Sequence, residues 1–184
     1  MKIIQTHIPG LIVIEPDVYS DQRGYFYESY NEAKFKENGI TARFVQDNES
    51  KSSKGTIRGL HYQLNPKAQT KLVRVIEGIV YDVAIDLRKG SPTFGKWHGE
   101  VLTADNKKQF YIPKGFAHGF SVLSETAVFA YKCDDFYSKE NERGIRFNDP
   151  TLNIDWKIAE DLSIVSEKDK TQPLFDHAEF NFEF

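Results

Sequence analysis

Cysteine is nearly absent from this chain: Cys133 stands alone among 184 residues. Neither an intramolecular disulfide nor a zinc centre built on cysteines is therefore open to it, and Cys133 reads as a buried thiol. Excess positive charge is missing as well. With 24 Lys and Arg against 27 Asp and Glu, the formal net charge is -3, which offers no footprint for a nucleic-acid backbone or an acidic membrane, although local basic residues remain free to bind a diphosphate. No apolar run of about 18 residues occurs anywhere. The opening Met1-Lys2-Ile3-Ile4-Gln5-Thr6-His7 lacks an apolar core followed by a cleavage site, so a cytoplasmic protein is expected. Repeats, low-complexity segments and linkers are also lacking, which leaves a single domain over residues 1–184.

Helix signals are scarce too. The clearest runs from Asn31 to Asn38, with a capping asparagine at one end and Gly39 at the other. What is plentiful is aromatic: 14% of the residues are Phe, Trp or Tyr, enough to line a cavity or to fill a core. Strand-like runs follow one another at Lys71 to Glu77, Ile79 to Leu87, Lys96 to Thr103, Gln109 to Ile112, His118 to Ser124 and Thr126 to Phe136. Turn chemistry at Glu77-Gly78, Lys89-Gly90-Ser91-Pro92, Ala104-Asp105-Asn106 and Pro113-Lys114-Gly115 separates them. Without helices to make parallel crossovers, the strands close as an all-β, double-sheet jelly roll with a few short peripheral helices. The less regular stretch from Asp149 carries Trp156, Phe175, Phe180, Phe182 and Phe184, which are expected to cover the barrel or join a partner subunit. Asn148-Asp149-Pro150 reads as a turn.

Polar groups concentrate among glycines and aromatics in Asp21 to Glu28, Phe44 to Glu49 and Thr56 to Gln63. On an ideal strand Ile57, Gly59, His61 and Gln63 share one face, and Arg58 lies on the other unless a bulge at Gly59 turns it. Pro113 to His118 has the shape of the second cupin motif, a turn that sets a histidine at the start of a strand. A metal-binding cupin also needs two histidines one residue apart and a nearby glutamate. Here the first motif reads His61-Tyr62-Gln63, and no glutamate follows before Glu77. The usual ligand set cannot be assembled, so no metal is expected. His61 and His118 are left either as buried, hydrogen-bonded rings or as proton-transfer groups titrating near neutral pH.

Together with Gln69 to Arg74, Tyr81 to Arg88, Tyr131-Lys132-Cys133, Asn141 to Ile145, Phe147 to Pro150 and Ser166 to Asp169, these segments resemble, in order and spacing, the dTDP-4-dehydrorhamnose 3,5-epimerases. The resemblance covers most of the chain. It implies a cupin-type jelly roll, a homodimer, and inversion of C3 and C5 of dTDP-4-dehydro-6-deoxy-D-glucose without metal or nicotinamide. It makes His61 the base, Asp169 its orienting partner, Lys71 the cation at the enolate oxygen and Tyr131 the acid on the opposite face. Arg23, Arg58 and Lys168 match positions near the diphosphate, and Glu28, Gln46, Asn48 and Glu142 match polar substrate-binding positions. Phe26 supplies a ring for the base or sugar, while Asp82 and His118 support Lys71 or the sugar. Apart from the resemblance, Lys71 reads as a surface lysine and Tyr131 as a core tyrosine. Epimerisation at one carbon or ketoisomerisation of another dTDP-4-keto-deoxysugar is the alternative, ahead of a noncatalytic sugar-binding cupin.

Overall fold

Short β-branched and aromatic runs, broken by Gly, Asn and Pro turns, become strands throughout the computed structural model, which describes residues 1–184. In chain order they are β1 (Lys2–Gln5), β2 (Ile12–Glu15), β3 (Val18–Asp21), β4 (Gly24–Tyr27), β5 (Gln46–Ser53), β6 (Thr56–Gln63), β7 (Lys71–Glu77), β8 (Ile79–Asp86), β9 (Arg88–Lys89), β10 (Trp97–Thr103), β11 (Gln109–Ile112), β12 (Phe116–Val122), β13 (Thr126–Cys133), β14 (Glu142–Gly144), β15 (Ile164–Val165) and β16 (Phe182–Glu183). One sheet has the order β1-β2-β11-β7-β13-β5 and the other β10-β8-β12-β6-β14, with β15 added beside β6. Neighbours within each of these orders are antiparallel. The result is the double-sheet jelly roll that the turn spacing implies.

Alternation of side chains sorts the apolar residues into layers. Val73, Val75, Phe110 and Phe129 from the first sheet meet Val80, Ala84, Phe120 and Val122 from the second in the inter-sheet core. The outer face of the second sheet, with Tyr62, Tyr81, Val83 and Ile85, is covered by Trp156, Phe175 and Phe182. Phe180 packs on the same cluster, so three of the four carboxy-terminal phenylalanines cover the barrel. Phe184 remains 62% exposed, with the Arg88 guanidinium over its ring. The buried Asp149 carboxylate secures this strap, accepting from Thr151, Leu152 and Phe175 amides. The sequence-expected helix is α1 (Glu32–Glu37), capped by the Asn31 side chain and placing Phe35 over Ile12, Ile14 and Leu72.

Strand ends differ from the sequence reading where side chains capture backbone. The run expected to reach Phe136 stops at Cys133, because Asp134 turns its carboxylate to the Thr70 amide. Strand β12 begins at Phe116, two residues before the expected start, directly after the left-handed turn at Gly115.

Strand β6 departs from regular pleating where the chemistry lies. His118 pairs with His61 and Phe120 with Arg58, so two steps along β12 answer three along β6. The extra residue is absorbed at Gly59, whose φ is +133°. Arg58 and His61 consequently both line one cavity, whereas Ile57, Leu60 and Tyr62 join the outer cluster. Ile57, which an ideal strand sets on the His61 face, packs in that cluster and also borders the cavity. A Cβ on Gly59 would stand 2.5 Å from the Gly119 Cα and 3.0 Å from the His118 carbonyl oxygen. Both are backbone atoms, and the conformation itself disfavours a side chain. Gly59→Ala is therefore expected to lower unfolding free energy by about 2–4 kcal/mol, measured by urea denaturation; a loss below about 0.5 kcal/mol contradicts the reading.

Candidate active site

Two adjoining cavities open between the sheets. The larger, about 610 Å³, is lined by Arg58, His61, Lys71, His118, Tyr131, Lys168 and Asp169 among others. The smaller, about 170 Å³, is lined by Gln46, Asn48, Glu142, His61, Lys71 and Tyr131 together with Tyr137 and Cys133. His61, Lys71 and Tyr131 stand at the junction of the two. Eleven of the fourteen residues singled out in the sequence thus gather here, counting Asp82, which lies behind His118 rather than on the wall.

His61 Nε2 lies 2.6 Å from Asp169 Oδ1. The carboxylate is held from outside the sheets. Ser166 caps α2 (Glu167–Lys170) by accepting from the Asp169 amide, and Asp169 Oδ2 reaches the Gly59 amide at 3.5 Å. Burial alone would raise the Asp169 carboxyl, but hydrogen bonds and charge from His61, with help from the Gly59 amide and Ser166, bring it below its ordinary range. An ionised Asp169 at this distance fixes the ring orientation and favours the charged form of the imidazole beside it.

Behind this pair lies a second one. His118 Nε2 faces both oxygens of Asp82, at 2.9 and 3.0 Å, with the carboxylate fully buried and the ring buried at the cavity wall. Burial pushes the Asp82 carboxyl up and the His118 imidazole down, each opposed by the other's charge. Burial also lowers Lys71, whereas nearby acidic groups, Asp82 and Glu142 among them, act the other way. The Lys71 ammonium stands 5.9 Å from the centre of the Tyr131 ring, and burial raises the Tyr131 phenol, keeping it in its proton-bearing form. The surface role that Lys71 has in the sequence alone is replaced by a place in the cavity wall.

Charged groups spread outward from this centre. Lys168 pairs with Glu142 at 2.6 Å, and the same carboxylate accepts from the Tyr137 hydroxyl at 3.0 Å. Asn48 and Gln46 are linked at 3.2 Å on β5. Tyr137 was not legible as a site residue, since it follows the strand end in a loop whose position depends on Gln63 accepting from the Ser138 amide. Ser50 and Ser52, which also line the larger cavity, did carry a signal in their alternate spacing along β5.

Arg23, Phe26 and Glu28 are not brought to this cavity by their own chain. They belong to the β3–β4 hairpin and the residue just beyond it, paired only within that hairpin's sheet. Arg23 bonds Asp21, Phe26 is 70% exposed, and Glu28 pairs with Lys34. The ribbon is held elsewhere, by the Arg74 guanidinium donating to the Tyr27 hydroxyl, the Lys107 ammonium over the Tyr25 ring, and a small pocket that Phe26 and Glu28 share with Met1 and Phe35. Nor do the histidines converge with other donors: no group of three or more His, Cys, Asp or Glu is arranged to hold a metal ion.

A sequence profile described as dTDP-4-dehydrorhamnose 3,5-epimerase matches residues 5–177. The chain belongs to that family. Among relatives of this epimerase family, the dTDP-4-dehydrorhamnose 3,5-epimerase of Shigella flexneri is 53% identical, over 98% of this chain and 99% of its own length. The crystal structure of the epimerase from Elizabethkingia anophelis NUHP1 is 59% identical, with a TM-score of 0.92 over 96% of this chain and 97% of that one. The Legionella pneumophila enzyme, solved in complex with dTDP-4-keto-L-rhamnose, is 54% identical, with a TM-score of 0.92 over 96% and 93% of the two chains. Membership makes the chain an epimerase of the isomerase class on a cupin-type fold. No helix is long and apolar enough to cross a membrane.

The depressed Asp169 carboxyl has a consequence for acid stability. Its contribution is complete above the unfolded value of about 3.9 and is lost as pH falls through the lower native value. Asp169→Asn is expected to flatten the acid limb of a stability profile taken by urea unfolding between about pH 2 and pH 6. An acid limb as steep as that of the parent contradicts the assignment.

Proposed function

We propose that the chain inverts C3 and C5 of dTDP-4-dehydro-6-deoxy-D-glucose to give dTDP-4-dehydro-L-rhamnose, with His61 as base and Tyr131 as acid. The observation that carries this reading is the placement of the two groups on facing sheets. His61 projects from β6 of one sheet and Tyr131 from β13 of the other, and both line the same space. A sugar ring held between them has an imidazole on one face and a phenol on the other, which is what stereochemical inversion requires.

The C3 and C5 hydrogens are acidified by the 4-ketone, yet not enough for unaided loss at neutral pH. His61 removes the proton, and the neighbouring Asp169 carboxylate favours the imidazolium that results. General base catalysis typically contributes about 10²–10⁴ in rate, so the developing enolate needs its own stabilisation. Lys71 supplies a positive group in the same enclosed space, where charge acts more strongly than in water. The buried Asp82–His118 pair supports Lys71 from behind. Arg58 and Lys168 take the diphosphate as fixed donors, and Gln46, Asn48 and Glu142 hold polar groups of the substrate.

The remaining residues, Arg23, Phe26 and Glu28, join the reading through a homodimer. Strand β5 is the open edge of the first sheet and borders the larger cavity. The hairpin exposes Val18, Tyr19, Tyr25 and Phe26, an apolar ribbon suited to cover such an edge on a second copy. Light scattering on the eluting protein should then give about twice the 21.2 kDa chain mass; a monomer at assay concentration contradicts the dimer.

Metal-stripped protein incubated with the substrate in deuterated water should exchange both C3 and C5 hydrogens, followed by NMR. His61→Ala should abolish exchange with the fold retained. Tyr131→Phe should keep base-dependent exchange while lowering inverted product at least about tenfold. Exchange at neither carbon in the parent rejects the function, exchange at C3 alone selects single-site epimerisation, and near-normal exchange in His61→Ala removes His61 as the base.

A further inference from the structure

We infer that Ser52 is a positioning residue that fixes the plane of the Arg58 guanidinium, an inference resting on the proposed role of Arg58 at the substrate diphosphate. Arg58 sits beside the Gly59 bulge, where its backbone has left the regular pleat, and its side chain is exposed in the cavity. A long arginine in that position loses considerable rotamer entropy when it settles on one ligand geometry. The only side-chain hydrogen bond that Arg58 makes is from its Nε to Ser52 Oγ, at 3.0 Å.

Ser52 is well placed to hold it. It lies on β5, opposite Ala127 of β13, and is 8% exposed. Strands β5 and β6 are consecutive but belong to different sheets, so the bond spans the corner between them. Capture of Nε leaves the two terminal nitrogens without a protein hydrogen bond. Those nitrogens form the fork that meets phosphate oxygens in pairs. The hydroxyl therefore acts on binding through Arg58, without touching the reacting carbons.

The test measures steady-state epimerisation of dTDP-4-dehydro-6-deoxy-D-glucose by full-length protein. Ser52→Ala is expected to raise KM by about five- to tenfold, the scale of one net hydrogen bond, with kcat within about twofold of the parent. In an Arg58→Lys background, which has no Nε–H to hold, the same change should move KM by less than about twofold. Ser52→Cys, similar in size but a weak acceptor, is expected to behave like alanine and serves if the alanine variant folds poorly. An unchanged KM, a fall in kcat alone, or an equal KM rise in the Arg58→Lys background overturns the inference. A parent protein without turnover overturns the proposed function itself, and with it this refinement, so the two failures are distinguishable.

Discussion

The backbone of β6 passes the backbone of β12 so closely at Gly59 and Gly119 that neither position has room for a side chain without displacement. The placement of Arg58, His61 and Asp169 depends on that contact. The bulge it contains brings Arg58 and His61 to one face and offers the Gly59 amide to Asp169. A regular strand in the same place would bury either the guanidinium or the imidazole in the apolar cluster of Tyr62, Tyr81 and Trp156, where an unpaired charge is costly. The left-handed glycine is thus the local strain that permits a functional site on an otherwise regular sheet.

Charge inside the barrel is handled by two carboxylate–imidazole pairs with opposite tendencies. Asp169 stays below its ordinary range because His61 and a backbone amide reward its ionised form. Asp82, with less access to water, is pushed up while its partner His118 is pushed down. These tendencies support the proposed division, with the outer pair as the base and its partner and the inner pair as a polar wall behind Lys71. The same residue types perform different tasks because solvent access and hydrogen-bond supply differ.

Much of this was legible in the sequence. Turn spacing gave the double-sheet closure, Asn31 and Gly39 marked the helix, and the incomplete cupin ligand set pointed away from metal toward the histidines. The Gly59 bulge was legible only as a condition, since no local pattern fixes which of two faces Arg58 takes; the pairing register with β12 decides that. The strand end at Cys133 was missed because a run of β-formers carries no sign that Asp134 will cap a distant amide. Arg23, Phe26 and Glu28 matched the family by position, but a sequence match contains no information on whether a segment serves its own barrel or another.

A jelly roll suits inversion for a geometrical reason. Its interior is bounded by two sheets facing each other, so side chains that alternate inward from one are opposed by those of the other. The proposed removal and return of a proton on opposite faces of a planar enolate needs just this opposition, and His61 on β6 faces Tyr131 on β13 across one cavity. The enclosure that creates the opposition also withdraws water, raising the Tyr131 phenol and lowering the Lys71 ammonium. The first shift suits the proposed acid, a phenol that keeps its proton until the enolate is present; the second works against the positive charge proposed for Lys71, and the nearby Cys133, Asp82 and Glu142 oppose it. Geometry and acidity therefore both follow from the burial of polar residues between two facing sheets, with the close approach of β6 and β12 at Gly59, inside the second sheet, bringing Arg58 and His61 into that space.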